Sequence, residues 1–110
     1  MTFALVVAER NINDVVLNRY MKTITKDITI INRCGLHARP SAAFSKTARQ
    51  FKSDVFVELK DMKVSGRSIM GLMTLEAGFG SIIRVTATGD DAEELVKVLE
   101  DLVLTKFSED

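Results

Sequence analysis

Two segments with alternating side chains constrain the fold of this 110-residue chain most strongly. Residues 54–60 and 81–88 both place apolar side chains at every second position, and mostly polar or charged side chains between them. A strand with one apolar and one polar face fits an antiparallel sheet that packs helices on one side and meets water on the other. The chain is therefore predicted to be an α+β domain of two layers.

The remaining segments complete the predicted element order β-α-β-β-α-β-α. A first strand is predicted at 26–32 and a third at 63–65, so the sheet has four strands. Three segments with helical periodicity supply the helices. Their apolar positions are Phe44, Ala48 and Phe51 in the first, Ile69, Met70, Leu72, Met73 and Leu75 in the second, and Leu95, Val98, Leu99 and Leu102 in the third.

Each predicted helix has a recognisable start. Pro40 suits the first turn of the first helix, because it lacks an N–H that a helix start leaves unpaired and its φ is already helical. A residue before proline is disfavoured in the helical conformation, so the exact start is open between Pro40 and Ala38. Ser68 is the predicted N-cap of the second helix, and Asp91 with Glu94 is predicted to form a capping box at the third.

The second helix has apolar residues all around its axis, which predicts that some of them lie on the surface. Its methionines, Met70 and Met73, are typical of an adaptable docking surface. Ordinary filling of the core is the alternative interpretation of this helix.

Composition excludes several classes of site. One cysteine and one histidine cannot supply the ligands of a zinc site, so no metal and no cofactor is predicted, and Cys34 is interpreted as a loop residue. The apolar run at 3–8 is too short for a membrane span or a signal sequence, so a cytoplasmic protein without membrane insertion is expected. Zero net charge and a nearly isolated strand aromatic, Phe56, argue against nucleic-acid binding.

Charge is unevenly distributed along the chain. Residues 33–67 contain eight basic and three acidic side chains, a balance of +5, whereas residues 90–110 contain eight acidic and two basic ones, a balance of −6. The basic segment at 33–67 could steer an acidic or phosphorylated partner. The alternative is that these charged side chains are ordinary solvent-exposed residues on the surface.

The segment from Gly35 to Pro40 is the candidate reactive centre, since it contains the only histidine and the only proline just before a predicted helix. The first N–H groups of a helix have no internal partner and, together with the helix dipole, form a small anion site. An imidazole there keeps a free nitrogen lone pair and can act as a nucleophile. If the electrophile is a phosphoryl group, Arg39 and the free N–H groups can hold its oxygens. A solvated loop histidine is the alternative for His37.

Residues 1–22 do not continue these patterns and are predicted to be an N-terminal extension of unknown role, with the domain at 23–110. Residues 3–8 could form a strand and residues 13–20 a helix. Met21 is an alternative start of the protein.

Two motifs resemble the HPr family, the histidine-containing phosphocarriers of the bacterial phosphoenolpyruvate-dependent phosphotransferase system. They are the segment from Gly35 to Pro40 and, about thirty residues later, the segment from Ser68 to Met73, within a similarity that runs from about Thr23 to Phe107. The resemblance implies an open-faced β-sandwich, in which a four-stranded antiparallel sheet carries three helices on one face. It also implies a carrier with a covalent phosphohistidine rather than a free-standing enzyme.

The resemblance also implies roles for individual residues. His37 would accept a phosphoryl group on Nδ1 from enzyme I and pass it to an enzyme IIA component, and Arg39 would stabilise the phosphohistidine. Ser68 would be the regulatory site of an HPr kinase/phosphorylase. Partners would dock on Ile69, Met70 and Met73, and the carrier is expected to be a monomer.

Departures from the family pattern leave the branch of the system open. Ser41 stands where alanine is usual. The ending from Lys106 to Asp110 is similar to the nitrogen-related branch, whereas the segment from Ser68 to Gly71 is similar to the kinase-regulated sugar branch.

Three other functions are open to a chain with these patterns. A regulatory binding module of the same fold would keep Ser68 but lack the reactive histidine. The presence of His37 argues against this function. An RNA-binding domain is disfavoured by composition, and a phosphate-ester hydrolase by the lack of a general base for water.

Overall fold

The computed structural model describes residues 22–108 and contains one antiparallel sheet of four strands. Their order across the sheet is β1-β4-β2-β3, so β1 and β3 are the edges. The predicted strand number and antiparallel pairing are confirmed. The strands are β1 at Lys22–Thr29, β2 at Asp54–Leu59, β3 at Met62–Ser65 and β4 at Ile82–Gly89.

Three helices cover one face of this sheet and enclose the core with it. They are α1 at Ala38–Ala48, α2 at Ile69–Thr74 and α3 at Ala92–Leu104, followed by a short 3₁₀ turn at Lys106–Ser108. The helix α3 packs on β1 and β4, and α1 packs against both other helices. Apolar side chains from the inner sheet face and the helices form one buried cluster, including Val57, Val85, Phe44, Leu72 and Leu99. The chain therefore has the two-layer α+β architecture that the alternating strands predict, and it is the open-faced β-sandwich that the family resemblance implies.

The other face of the sheet is open and largely polar. Hydroxyl pairs link β1 to β4 through Thr23 and Thr88 at 3.1 Å and through Thr25 and Thr86 at 3.2 Å. Further along the same two strands, Nε of Arg84 donates to Oδ1 of Asp27 at 2.9 Å. This hydrogen bond holds the pKa of the exposed Asp27 carboxyl below its usual range.

The structure decides the boundaries that sequence patterns leave open. The helix α1 begins at Ala38, so Pro40 is its third residue, where its missing N–H is again one that needs no partner. Phe51 lies just beyond the end of α1 and is half-buried. The predicted core stripe of α3 is partly wrong, because Val98 is only half-buried whereas Val96, absent from that stripe, is buried. Tertiary packing decides such positions.

The predicted capping box at α3 is also wrong. Asp91 occupies the N-cap position, but its side chain makes no cap hydrogen bond. Its carboxylate instead accepts hydrogen bonds from the N–H groups of Lys52 and Ser53, both at 2.9 Å, and from the hydroxyl of Ser53. Asp91 therefore ties the loop before β2 to the start of α3.

These contacts predict an acid-dependent stability. The Ser53 hydroxyl first, and then the two N–H groups, hold the pKa of Asp91 below its ordinary value, so the folded protein binds fewer protons than the unfolded chain in acid. The stabilisation is complete above the unfolded pKa of about 4 and is lost as the pH falls through the lower folded value. We expect Asp91→Asn to lower the free energy of unfolding by about 2 kcal/mol at pH 7.

Denaturant titrations of both proteins from pH 7 to pH 3 check this expectation. The difference in the free energy of unfolding between the two proteins should shrink below about pH 4. The Asp91 carboxylate then becomes protonated and loses its stabilising contribution, which the amide of the variant does not make at any pH. The effect of Asp27 is common to both proteins and cancels in the difference. A difference that does not change with pH would contradict the assignment to the Asp91 charge.

The predicted N-terminal extension falls outside the described residues, except that Lys22 is the first residue of β1. The strand at 3–8, the helix at 13–20 and the alternative start at Met21 all lie in that part of the chain. Within residues 22–108, no helix is long and apolar enough to cross a membrane.

Candidate functional site

His37 is the N-cap residue of α1, which places it at the helix start that the sequence pattern leaves open between Ala38 and Pro40. Its backbone is extended, with φ −81° and ψ −165°, and its carbonyl accepts the first helical hydrogen bond from the N–H of Ser41 at 3.0 Å. The imidazole is exposed and does not cap the helix. The imidazole therefore lies at the start of α1 on the surface of the protein.

The first turn of α1 offers backbone donors to an anion. The N–H groups of Ala38 and Arg39 have no acceptor among residues 22–108, and Pro40 has no N–H. No acidic residue lies in this turn to compete for an anion. Free N–H groups at the positive end of a helix form an oxyanion site, and here they adjoin the imidazole.

Arg39 lies two residues after His37 in the same turn and is exposed. Its guanidinium forms no hydrogen bond or ion pair within the described range 22–108. A long unengaged cation beside a helix start can reach the oxygens of an anion bound there.

The loop before His37 is fixed by several hydrogen bonds. The N–H of Leu36 donates to the carbonyl of Ala77 at 2.8 Å, and the buried hydroxyl of Ser41 donates to the carbonyl of Leu36 at 3.0 Å. The side-chain amide of buried Asn32 donates to the carbonyl of Gly35 at 2.9 Å. The backbone of the site is thus held from both sides before any ligand arrives.

Gly35 is the residue that allows this close approach. Its φ is +69°, and an added Cβ would lie 2.2 Å from the carbonyl oxygen of Ala77. Only a residue without a side chain combines this backbone conformation with that contact.

The imidazole forms part of the wall of a shallow depression of about 230 Å³, which we call the His37 depression. Cys34 also lines it and is exposed in a loop, as predicted. Met73 and Glu76 line the same depression. Sequence reasoning did not single out Glu76, since no local pattern connects residue 76 with residue 37. The lining residues are Cys34, Leu36, His37, Met73, Glu76, Ala77 and Gly78.

Ser68 is the N-cap of α2, which confirms the prediction. Its hydroxyl oxygen accepts a hydrogen bond from the N–H of Gly71 at 2.9 Å. The turn before it is tied to α1, because the hydroxyl of Ser45 donates to the carbonyl of Arg67 at 2.7 Å. Since α1 and α2 also pack together, the Ser68 turn and the His37 helix belong to one surface region.

The side chains of α2 divide between core and surface as predicted. Leu72 and Leu75 are buried, Ile69 is half-buried, and Met70 and Met73 are 72% and 37% exposed. Met73 also lines the His37 depression, so the exposed methionines continue directly into the histidine site. This arrangement suits contact with a partner that reaches the imidazole.

No group of three histidine, cysteine, aspartate or glutamate side chains in residues 22–108 is arranged to hold a metal ion. The depression itself is lined by the His37 imidazole, the Cys34 thiol and the Glu76 carboxylate. The free N–H groups and the Arg39 guanidinium lie beside it, in the first turn of α1.

Comparison with known proteins gives a consistent result. Residues 24–104 match a family model described as the PTS HPr component phosphorylation site. The chain is similar to the phosphocarrier protein HPr of Neisseria meningitidis, with 46% identity over 86 residues, which cover 78% of this chain and 97% of that protein. It is also 40% identical to the HPr-like protein Crh of Halalkalibacterium halodurans over 76 residues, 69% of this chain and 90% of that protein.

Solved structures agree with these matches. A crystal structure of HPr from Thermoanaerobacter tengcongensis superposes with a TM-score of 0.74 at 46% identity, covering 81% of this chain and 98% of that one. HPr from Bacillus anthracis superposes with a TM-score of 0.71 at 40% identity, covering 74% and 96%.

Proposed function

Because the chain belongs to the HPr family of phosphocarrier proteins of the phosphotransferase system, we propose that His37 is the residue that carries the phosphoryl group. The observation that supports this most directly is the exposed imidazole at the N-cap of α1, beside two N–H groups with no acceptor in residues 22–108. The proposed donor is phospho-enzyme I, and the proposed acceptor is an enzyme IIA component.

The proposed transfer needs only the groups present at the site. The Nδ1 lone pair of His37 attacks phosphorus while the bond from phosphorus to the donor's nitrogen breaks, so one phosphoryl group moves and no other reactant is consumed. The N–H groups of Ala38 and Arg39, with the Arg39 guanidinium, balance negative charge on the phosphoryl oxygens. Transfer to the acceptor reverses these steps at a second protein.

Labelling with phosphoenolpyruvate and enzyme I tests this proposal. The protein should incorporate phosphate that is labile in acid and stable in alkali, as a phosphoramidate bond is, and peptide fragmentation should locate it on His37. A binding module that acts through Ser68 alone would remain unlabelled under these conditions. Absence of label in the unmutated protein, or label on another residue, would overturn the proposal.

We further propose that phosphorylation of Ser68 regulates partner access to His37. A phosphoserine would place about −1.5 to −2 charges at the start of α2, a position that a helix N-terminus tolerates. The same charge would lie within the exposed apolar surface of Ile69, Met70 and Met73. A partner that docks there would have to desolvate the phosphate or meet it with a cation, so docking should weaken.

Ser68→Asp tests this regulation because aspartate keeps an N-cap acceptor and adds a charge. We expect it to slow phosphoryl transfer to His37 by about tenfold or more, since burying an unpaired charge in an apolar docking interface is strongly unfavourable. Ser68→Asn is the matched control, which caps the helix without charge and should stay within about twofold of the unmutated rate. Equal rates for the two variants would contradict a role for charge at residue 68.

A further inference from the structure

Glu76 stands out among the residues of the His37 depression. Among residues 22–108 it is the only acidic side chain in the lining, and it is exposed. An exposed carboxylate is negatively charged at neutral pH. The depression that the imidazole helps to line therefore also carries a charge of the same sign as a phosphoryl group.

The backbone around Glu76 is fixed to the same loop that holds His37. The N–H of Glu76 donates to the carbonyl of Met73 at 3.1 Å, at the end of α2. The next residue, Ala77, accepts the hydrogen bond from Leu36 and contacts Gly35 closely. The position of Glu76 relative to His37 is therefore set by a short and well-bonded path through the chain.

The conformation of Glu76 is unfavourable for its residue type. Its φ is +50°, in the left-handed region where glycine is the low-cost residue. The carboxylate offers no compensating contact, since it forms no hydrogen bond or ion pair with any residue in the range 22–108. Nothing in the fold thus explains a glutamate here, whereas its place in the lining suggests a role toward the histidine.

We propose that Glu76 raises the transfer potential of the phosphoryl group on His37 through charge repulsion. This inference rests on the proposed function of His37. The oxyanion site of α1 stabilises the phosphorylated state, whereas the Glu76 carboxylate, which lines the same depression, repels the phosphoryl dianion. When the bond from Nδ1 to phosphorus breaks and the phosphoryl group moves to a nitrogen of the acceptor, this repulsion is released. Glu76 thus limits how tightly the carrier retains its phosphoryl group.

An equilibrium competition tests the proposal. Unmutated protein labelled with ¹⁵N and the unlabelled Glu76→Gln variant are mixed in equal amounts with a catalytic amount of enzyme I and limiting phosphoenolpyruvate. Mass spectrometry then gives the phosphorylated fraction of each protein. We expect the variant to hold about fivefold more phosphate relative to its free form, as repulsion between one and two charges across a solvent-filled gap predicts. Glu94→Gln, an exposed position in the first turn of α3, is the matched control and should partition equally with the unmutated protein.

A second variant separates charge from backbone conformation. Glu76→Gly removes the charge and relieves the left-handed φ, whereas Glu76→Gln removes the charge alone. If charge is responsible, both variants retain phosphate equally well, and only the glycine variant gains resistance to denaturant. Equal partition between Glu76→Gln and the unmutated protein, or a shift only in Glu76→Gly, would overturn the proposal. If the unmutated protein takes no phosphate at all, the proposed function itself fails, and the two failures are therefore distinguishable.

Discussion

Replacement of His37 by alanine is expected to abolish phosphate incorporation while leaving the fold intact. Loss of the nucleophile should reduce labelling by at least about a hundredfold, since no other side chain that residues 22–108 contribute to the His37 depression can form an acid-labile, alkali-stable phosphoramidate. The imidazole is exposed and makes no cap hydrogen bond, so the free energy of unfolding should change by no more than about 0.5 kcal/mol. Labelling with radioactive phosphoenolpyruvate and a denaturant titration measure the two quantities.

Cys34→Ser is the matched control for this experiment. Cys34 lines the same depression and is exposed, but the proposed mechanism gives it no role. The serine variant should therefore keep its label at the unmutated level. Label that persists in His37→Ala would move the acceptor to another residue, and label lost in Cys34→Ser would require the thiol in the mechanism.

Gly35→Ala is expected to cause the largest loss of stability among the substitutions considered for the site. The new Cβ would lie 2.2 Å from the oxygen of Ala77 and 2.7 Å from Cα of Gly78, and the backbone would remain at φ +69°. The clash opposes the hydrogen bond from Leu36 to Ala77, because both depend on the same close approach. We expect the free energy of unfolding to fall by about 3 kcal/mol or more. Phosphate acceptance at His37 should also slow, since the loop that orients it is displaced.

Gly80→Ala provides the comparison that isolates the clash. Gly80 also has a positive φ, +86°, but nothing lies within 4 Å of its added Cβ. Its substitution should cost only the backbone term, about 1 kcal/mol. Thermal or denaturant unfolding of both variants checks the difference, and equal losses would show that contact with Ala77 is unimportant.

The alternating strands were the most predictable part of this fold. Around Val57 and Val85 the two-residue period places apolar side chains on one face. The observed strand β2 ends one residue before its predicted segment, and β4 begins and ends one residue after its own. The N-cap at Ser68 was predictable for a similar reason. The strand periodicity and the helix cap both depend on interactions among a few residues that are neighbours in the sequence.

Features that depend on distant residues were not predictable in this way. Asp91 was expected to cap its own helix, but its carboxylate bonds to Ser53, 38 positions earlier. Glu76 lines the same depression as His37 because the close approach of Gly35 and Ala77 brings two loops together. Likewise, α1 begins at Ala38, although a residue before proline is disfavoured in the helical conformation. Two hydrogen bonds of Ser41 hold this start: its N–H donates to the carbonyl of His37, and its hydroxyl donates to the carbonyl of Leu36.

The hydrogen bonds of Asn32, Leu36 and Ser41 have a consequence for how a carrier of this kind would work. They fix the backbone around His37 in the absence of any ligand, so loading and unloading require rearrangement of side chains and solvent only. A carrier whose backbone does not rearrange would have no structural preference for one direction of phosphoryl transfer. The direction would then follow the relative concentrations of phosphorylated donor and unphosphorylated acceptor, and the rate would follow how often these proteins encounter the carrier.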